Sequence, residues 1–356
     1  MSAIERYGGD AVEIRVGEAL FRLSPAAAQF VRAASAENTR RAYSADLADF
    51  VRWCERRDRS ALPAAPDDIA NYLADLAVDA EAPATGATGD GDGSSGPRRA
   101  VATIRRRVAA IRMAHKAAGL VDPTSHVLVE QTLDGIVRTF GSSQARAEPL
   151  TQDLLVRAVQ AIDASTLRGL RDRALLLVGF AGAFRRSELV SLRVEDLAAT
   201  VQGIVVTVRR SKTDQHGRGL AKALPYVDGP RAVCPARALQ DWLGRTGMVT
   251  GPIFRGFTRS GDVRAVALHP GEVNRIVKRA VAAIGLDPAR YSGHSLRAGF
   301  VTTARAEGVP DHLVMAQTGH SDPRSLAVYT RPSDLLADNA LSWLRWDAGE
   351  AGARER

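Results

Sequence analysis

Seven residues in the second half of this 356-residue chain have side chains that suit anion binding and proton transfer. Guanidinium groups stay charged at neutral pH and can donate two parallel hydrogen bonds to an oxyanion. Histidine, lysine and tyrosine can exchange protons with a reacting group, and a glutamate can orient an arginine. The seven residues are Arg185, Glu188, Lys212, His294, Arg297, His320 and Tyr329.

Each of these positions also has an ordinary structural explanation when it is taken alone. Arg185 and Glu188 are three residues apart after an apolar segment and could form a half-buried ion pair. His294 and Arg297 are one helical turn apart and could be a surface pair, whereas the lysine could solvate a turn. A tyrosine in an apolar context, such as Tyr329, is more often a core residue than a nucleophile.

The order of these residues along the chain is more specific than any one of them. Residues 182–189 (Gly-Ala-Phe-Arg-Arg-Ser-Glu-Leu) resemble the first arginine box of the tyrosine recombinase (phage integrase) family. Residues 291–297 resemble its second box, and residues 318–329 resemble its terminal box, in which tyrosine follows Gly-His by nine residues. Lys212 matches the family's hairpin lysine, and its Ser-Lys-Thr setting is closest to the Cre-like members. The resemblance covers about residues 20–346.

The resemblance implies a site-specific DNA recombinase that cleaves and rejoins DNA through a 3′-phosphotyrosyl intermediate, without metal or ATP. Tyr329 would be the nucleophile, and Lys212 would protonate the leaving 5′ oxygen. Only about one tyrosine in a thousand is ionised at pH 7, so nearby cations must offset that cost. The other implied roles are proton acceptor or relay for His294, binding of nonbridging phosphate oxygens for Arg185, Arg297 and His320, and orientation of the arginines for Glu188.

Two other functions stay open from the sequence alone. A type IB topoisomerase uses similar chemistry to relax supercoils without exchanging strands, and a catalytically silent DNA-binding protein could retain the same fold. The resemblance implies double-stranded DNA with a specific target site as the partner, and a homotetramer on two paired sites. The sequence leaves open whether the free protein is monomeric and whether an accessory or directionality protein takes part. It also leaves open whether the task is integration, excision, resolution or inversion.

Hydrophobic periodicity predicts a mainly α-helical chain with a small β-sheet in the C-terminal domain. Residues 39–57 place apolar side chains at steps of three and four, as in an amphipathic helix. The apolar run 174–184 predicts a buried element that leads directly to Arg185. The β-branched segment 204–208 and the segment 220–227 predict two strands of a hairpin.

The chain is predicted to contain two domains, which the resemblance implies form a C-shaped clamp. Residues 80–97 contain five glycines and no large apolar side chain, which predicts a flexible insertion. An apolar stripe predicts an oligomerisation helix over 333–346. The predicted parts are an N-terminal extension over 1–23 that is a candidate for disorder, a helical core-binding (SAM-like) DNA-binding domain over 24–142, a linker over 143–149, a catalytic domain over 150–346 and a tail over 347–356.

A strongly basic helix follows the insertion and is a candidate DNA-binding surface. Its apolar stripe leaves the remaining face to arginines, and no acidic residue occurs before Asp122. A solvated face is the alternative, but solvated faces usually mix charges because like charges repel. We therefore predict phosphate contacts for Arg98, Arg99, Arg105, Arg106, Arg107 and Arg112.

The composition excludes several classes of protein. With 45% hydrophobic and 25% charged residues, the chain is typical of a globular protein rather than a disordered one. No apolar run approaches the roughly 18 residues of a membrane helix, and the first ten residues lack a signal-peptide pattern, so we expect a cytoplasmic protein without a membrane partner. Cys54 and Cys234 have no metal-ligand spacing, and we expect neither a disulfide, a metal nor a cofactor. The net charge of +8 favours a polyanionic partner.

Overall fold

The computed structural model describes most of the chain in two compact units, Met1–Ala145 and Arg146–Arg356. The division between them falls within the predicted linker over 143–149. The described residues are 4–5, 12–16, 19–23, 37–78, 99–141, 147–209, 219–230, 233–320 and 322, with side chains from residue 39 onward. Outside them lie Arg98, Lys212, Tyr329, the insertion over 80–97, the predicted helix over 333–346 and the tail over 347–356.

Unit 1 begins with a small antiparallel sheet. Its strands are β1 (Ile4–Glu5), β2 (Val12–Val16) and β3 (Ala19–Leu23), which pair in chain order. The structure therefore differs from the disorder expected over 1–23. The alternation of valine and isoleucine with charged residues in β2 is the period-two pattern of a strand, and it was the available signal.

Four α-helices follow the sheet in the described part of unit 1. They are α1 (Glu37–Glu55), α2 (Pro66–Ala77), α3 (Val101–Ala117) and α4 (Val127–Phe140). Their apolar faces meet in one core, in which the rings of Phe50 and Tyr72 are 4.9 Å apart between centroids. Ile104 of α3 is fully buried there, as its place in the apolar stripe predicts.

The arginines of α3 do not all face solvent. Arg107 is 8% exposed, and its Nη1 donates a hydrogen bond to Tyr72 Oη at 2.7 Å and ion-pairs with Asp49 of α1. Arg106 Nε donates to Asp46 Oδ2 at 2.7 Å. The phosphate contact expected for Arg107 is therefore wrong, because its guanidinium is buried and binds Tyr72 and Asp49 inside the unit. The neutralising carboxylates come from α1, which the sequence of α3 alone could not reveal.

The other arginines of the predicted surface lie nearer to solvent. Arg112 donates from Nε to Asp122 Oδ2 and to Thr124 Oγ1, both at 3.1 Å, beyond the C-terminal half of α3. Arg99 and Arg105 are exposed. The prediction of a uniformly basic face is thus replaced by a face on which several arginines already have acidic partners.

In its described part, unit 2 is mainly helical with two small antiparallel sheets, so the predicted fold class is confirmed. The hairpin predicted near 204–208 and 220–227 is present, with Val206 opposite Lys222. Three further strands were missed because they are only three to five residues long. The elements are α5 (Gln152–Gln160), α6 (Leu167–Ala181), α7 (Arg186–Ser191), β4 (Leu197–Ala199), β5 (Gly203–Val208), β6 (Leu220–Pro225), α8 (Pro235–Thr246), β7 (Arg255–Phe257), β8 (Val263–Ala267), α9 (Pro270–Ala282), α10 (His294–Ala306) and α11 (Asp311–Thr318).

Helix α6 crosses the core of unit 2, and α10 packs closely against it. A Cβ atom at Gly179 would approach Leu296 Cδ1 to 2.8 Å, so glycine allows α10 to lie near α6. On another side of α10, a Cβ at Gly299 would meet the carbonyl oxygen of Leu150 at 1.8 Å. The Leu150 amide also donates to Ser295 O at 2.9 Å. These contacts bring the start of α10 close to the end of α6. None of the helices in the described ranges combines the length and apolar character needed to cross a bilayer.

Replacing Arg107 by methionine should destabilise unit 1, whereas Arg105→Met on the same helix should not. Arg107→Met leaves Asp49 and Tyr72 without their cationic donor, which we expect to lower the free energy of unfolding by about 3 kcal/mol. The exposed Arg105→Met should change it by less than about 0.5 kcal/mol. Urea unfolding followed by circular dichroism measures both. Equal stability of the two variants would contradict the structural role of Arg107.

Candidate functional site

The structure places five of the seven candidate residues around the end of α6 in unit 2. They are Arg185, Glu188, His294, Arg297 and His320, whereas Lys212 and Tyr329 lie outside the described residues. Two direct side-chain contacts, Arg185 with Glu188 and Arg297 with His320, form the centre of the group. Segments that are more than a hundred residues apart in the chain therefore meet at one place.

Arg185 and Glu188 form a local cap at the start of α7. The Arg185 backbone amide donates to Glu188 Oε2 at 3.0 Å, and its Nη1 donates to Oε1 at 2.7 Å. The Glu188 side chain is 4% exposed and that of Arg185 is 22% exposed. The half-buried ion pair considered from the sequence is thus present, and it leaves part of the guanidinium accessible.

Arg297 is buried and connects three separate segments. Its Nη1 donates to the carbonyl oxygens of Ala183 at 2.7 Å and Thr318 at 2.6 Å. Its Nη2 lies 2.7 Å from His320 Nε2. Because a guanidinium can only donate, His320 Nε2 must accept in this contact. Arg297 therefore holds the α6–α7 turn and the end of α11 against α10.

The hydrogen bonds of His320 define its tautomer. With Nε2 accepting from Arg297, the ring proton lies on Nδ1, which is 2.9 Å from Thr318 Oγ1. The Thr318 hydroxyl in turn donates to Val314 O at 2.8 Å. Burial, together with Arg297 and other nearby cations, lowers the pKa of His320 to about 4. The imidazole is therefore neutral at pH 7 when no anion is bound.

A left-handed turn brings His320 back towards α10. Gly319 has φ +71° and caps α11 by donating its amide to Met315 O at 2.7 Å. A side chain there would be strained and would also approach Leu220 Cδ2 to 2.7 Å. Glycine at this position therefore allows the chain to turn from the end of α11 into His320.

His294 lies at the first residue of α10, and the preceding turn is anchored from α9. The Gly293 amide donates to Asn274 Oδ1 at 2.8 Å, and the His294 amide donates to Ser292 Oγ at 3.2 Å. The residue is exposed, yet partial desolvation, with Arg297 and Arg185, lowers the pKa of its imidazole below the usual value. A neutral His294 can accept a proton.

Lys222 is a member of this group that the sequence analysis missed. It is 2% exposed on β6, and its Nζ donates to Gly182 O at 2.6 Å and lies 4.6 Å from the centroid of the Phe184 ring. Burial lowers the pKa of its ammonium to about 7; Glu188 opposes this shift, whereas nearby arginines add to it. The available signal was a lysine on the inward-facing side of a predicted strand, the same side as the buried Leu224.

The described side chains of the group carry more positive than negative charge at neutral pH. Arg185 and Arg297, together with Lys222 in its protonated form, face one carboxylate, that of Glu188, so the arrangement suits an anion. Within the described ranges no three histidine, cysteine or acidic residues are grouped closely enough to hold a metal ion.

Comparison with known proteins identifies the family. The model of the phage integrase family matches residues 148–335. An integrase/recombinase XerD homologue of Selenomonas ruminantium is 38% identical over 325 residues, covering 90% of this chain and 89% of the relative. The Cre recombinase of Escherichia phage P1 is 22% identical over 322 residues, covering 85% and 86%. The higher identity to the XerD homologue differs from the closeness to Cre-like members expected from the hairpin motif.

Two solved structures share the fold of this chain. A lambda integrase dimer bound to a core site aligns with a TM-score of 0.51 at 16% identity, covering 98% of this chain and 97% of that one. The XerH site-specific recombinase in a post-cleavage complex with DNA aligns with a TM-score of 0.51 at 15% identity, covering 78% and 71%. Together with the family match over more than half of its length, these findings show that the chain belongs to the phage integrase family of tyrosine recombinases.

Proposed function

We propose that this chain is a site-specific recombinase that cleaves and rejoins double-stranded DNA through a 3′-phosphotyrosyl intermediate. The observation that carries the proposal is the contact of Arg297 with His320 beside the Arg185–Glu188 pair. Family membership supports the chemistry, and the excess of positive charge supports a phosphate as the group that binds there. The DNA partner would place the activity in the cytoplasm.

The arginines would bind the nonbridging oxygens of the scissile phosphate. In-line displacement at phosphorus spreads negative charge over these oxygens, and cations that are already fixed in place stabilise it. Arg297 is held by two carbonyl groups and Arg185 by Glu188, so neither has to reorganise during the reaction. Removal of one such donor typically costs about 10²- to 10³-fold in rate.

His320 would change its protonation state when the phosphate arrives. Burial and, to a lesser extent, nearby cations hold its imidazole neutral in the free protein, with Nε2 accepting from Arg297. An anion beside these cations removes much of their repulsion and favours the imidazolium. Nε2 then becomes a donor and can bind a nonbridging oxygen. The contact with Arg297 therefore keeps the His320 ring in place in the free state, where it can bind the phosphate once it is protonated.

The covalent step transfers the phosphate from one oxygen to another. Tyr329 Oη attacks phosphorus while the bond to the 5′ oxygen breaks, and His294 accepts the phenolic proton. Lys212 supplies the proton that the leaving 5′ oxygen needs, which an arginine could not do because it does not lose a proton near neutral pH. The new ester retains the energy of the broken bond, so rejoining by the reverse step consumes neither ATP nor a metal ion.

Unit 1 would be the core-binding domain and unit 2 the catalytic domain of this recombinase. The exposed Arg99 and Arg105 are the best-placed described candidates on α3 for phosphate contacts. Arg106 and Arg112 are also exposed but have carboxylate partners, so a phosphate would have to compete with Asp46 and Asp122.

The first experiment traps the covalent intermediate. A nicked suicide DNA that carries the target site should give a denaturation-resistant protein–DNA adduct, and mass spectrometry should locate the nucleotide on Tyr329. Tyr329→Phe should give no adduct, because it lacks the nucleophilic oxygen, yet should bind the same DNA. An adduct on another residue would contradict the proposal. Efficient relaxation of a supercoiled plasmid without the site would favour a type IB topoisomerase, and absence of any adduct would favour a silent DNA-binding protein.

A second experiment tests Lys212 as the general acid. Lys212→Ala should slow cleavage of ordinary DNA by about 10²- to 10⁴-fold, the usual contribution of a positioned acid. A 5′-thio substrate should restore most of the rate, because sulfur leaves without protonation. Lys278→Ala, at an exposed position of α9, is the matched control and should cleave both substrates normally. Equal losses of Lys212→Ala on the two substrates would remove Lys212 from this role.

The proposed assembly is a homotetramer on two paired sites. Unit 2 has an open apolar cavity of about 620 Å³, lined among others by Leu177, Phe180 and Phe300. The segment 333–346 carries apolar residues at helical spacing, including Trp343, and needs an apolar partner. We infer that this segment of a neighbouring protomer occupies the cavity on DNA.

Two substitutions to glutamate within the segment 333–346 test the assembly. Trp343→Glu places a charge on the apolar stripe and should abolish the tetramer on paired sites, leaving single half-sites bound. Ser342→Glu, on the opposite side of the same helical pattern, adds the same charge and should leave the tetramer intact. Light scattering of the complexes gives their mass. If Trp343→Glu instead destabilises the protein without DNA, the segment docks on its own unit.

A further inference from the structure

Three consecutive carbonyl groups at the end of α6 and in the turn that follows it are each bound by a side chain from a different element. Gln317 Nε2 donates to Ala181 O at 2.6 Å, Lys222 Nζ to Gly182 O at 2.6 Å, and Arg297 Nη1 to Ala183 O at 2.7 Å. These oxygens are at the end of the helix where intrahelical donors run out and the helix dipole is negative. Two of the three donors are cations, which is the charge that this end of a helix favours.

The turn that carries these oxygens has a constrained conformation. Ala183 has φ +44°, an uncommon value for a residue with a side chain, and it lies two residues before Arg185. A Cβ atom at Gly182 would overlap the ring of Phe184, at 2.0 Å, so the ring folds back over the turn. The direction in which the chain enters Arg185 therefore depends on how firmly this turn is held.

Lys222 holds the turn at a cost to its own solvation. Its side chain is 2% exposed between the turn and the ring of Phe184. An apolar side chain would fit this inward position of β6 without the penalty of burying an ammonium group. Stability of the fold alone thus does not explain a lysine at this position. Lysine is also uncommon in this chain, where it accounts for four of the 48 basic residues.

We propose that Lys222 is a positioning residue for DNA cleavage: its ammonium fixes the Gly182–Ala183 turn, which aims Arg185 and presents the carbonyl that holds Arg297. The proposal rests on the proposed recombinase function. Lys222 acts through the arginines and does not protonate the leaving oxygen, because its observed hydrogen bond is to Gly182 O. That separates it from the role of Lys212.

A pH dependence follows from the groups that face Lys222. These are Glu188 of α7, Arg185 before it, Arg297 of α10 and His320 after α11. Arginines keep their charge, and His320, with a pKa of about 4, is already neutral above pH 5. The Lys222 ammonium, with a pKa of about 7 in the free protein, is charged below pH 7 and loses its proton as the pH rises through 7. At low DNA concentration the rate of cleavage reports the protonation state of the free protein. This rate should therefore decline as the pH rises through 7.

The experiment measures adduct formation with the suicide DNA for Lys222→Met, Lys222→Gln and the control Lys278→Met. Methionine removes the donor, and misplaced arginines should slow cleavage about 100-fold, equally on 5′-oxygen and 5′-thio DNA. Glutamine keeps a neutral donor, so it should recover part of the rate and show no decline between pH 6 and 8. Lys278→Met should match the wild type in rate and pH profile.

Each result decides between the alternatives. Rescue of Lys222→Met by the 5′-thio substrate would make Lys222 the acid, and equal rates for methionine and glutamine would remove its hydrogen bond from the explanation. A wild-type rate for Lys222→Met would also overturn the proposal. If Lys222→Met does not fold, as judged by its unfolding temperature, the pH profile of Lys222→Gln against the wild type remains the test. Failure of the recombinase function would be distinguishable from failure of the role of Lys222, because in that case the wild type itself would give no adduct on Tyr329.

Discussion

The buried guanidinium of Arg297 is the interaction on which the candidate site depends. It binds carbonyl oxygens of the α6–α7 turn and of the end of α11, and it donates to His320. Arginine is suited to this position because its rigid fork has five donors and stays charged. Without it, three segments that are remote in the chain would have no common partner, and two of the carbonyl groups would be left buried without that donor.

The other charges of the site make sense around this centre. Glu188 is the carboxylate that faces Arg185. Lys222, when protonated, adds a third cation, and its ammonium donates a hydrogen bond to Gly182 O in the turn. Burying these charges costs desolvation free energy, and their interactions with carbonyl dipoles offset only part of that cost. A phosphate diester would supply the missing negative charge. Binding of DNA would therefore offset the remaining cost of burying these cations. The cations are already fixed in place before DNA binds, so the site is preorganised.

Much of this arrangement could be predicted from the sequence, and the exceptions have physical reasons. The Arg185–Glu188 pair and the β5–β6 hairpin follow from local spacing, which a single segment contains. Lys222 and Arg107 could not be placed this way, because their environments depend on other elements: the end of α6 for Lys222 and the acids of α1 for Arg107. A long charged side chain is expected at the surface unless a distant partner is known. For Tyr329 and Lys212 the sequence pattern remains the basis, since they lie outside the described residues.

The excess of positive charge at the end of α6 has a practical consequence for handling the protein. The fixed guanidinium groups of Arg185 and Arg297 carry an excess of positive charge and can bind an oxyanion, as a cation-bearing ion-exchange resin does. Sulfate or phosphate in a buffer would occupy it by mass action and would compete with the nucleic acid there, on top of the general weakening that any salt causes. Chloride and sulfate solutions of the same ionic strength are therefore not equivalent media for this enzyme.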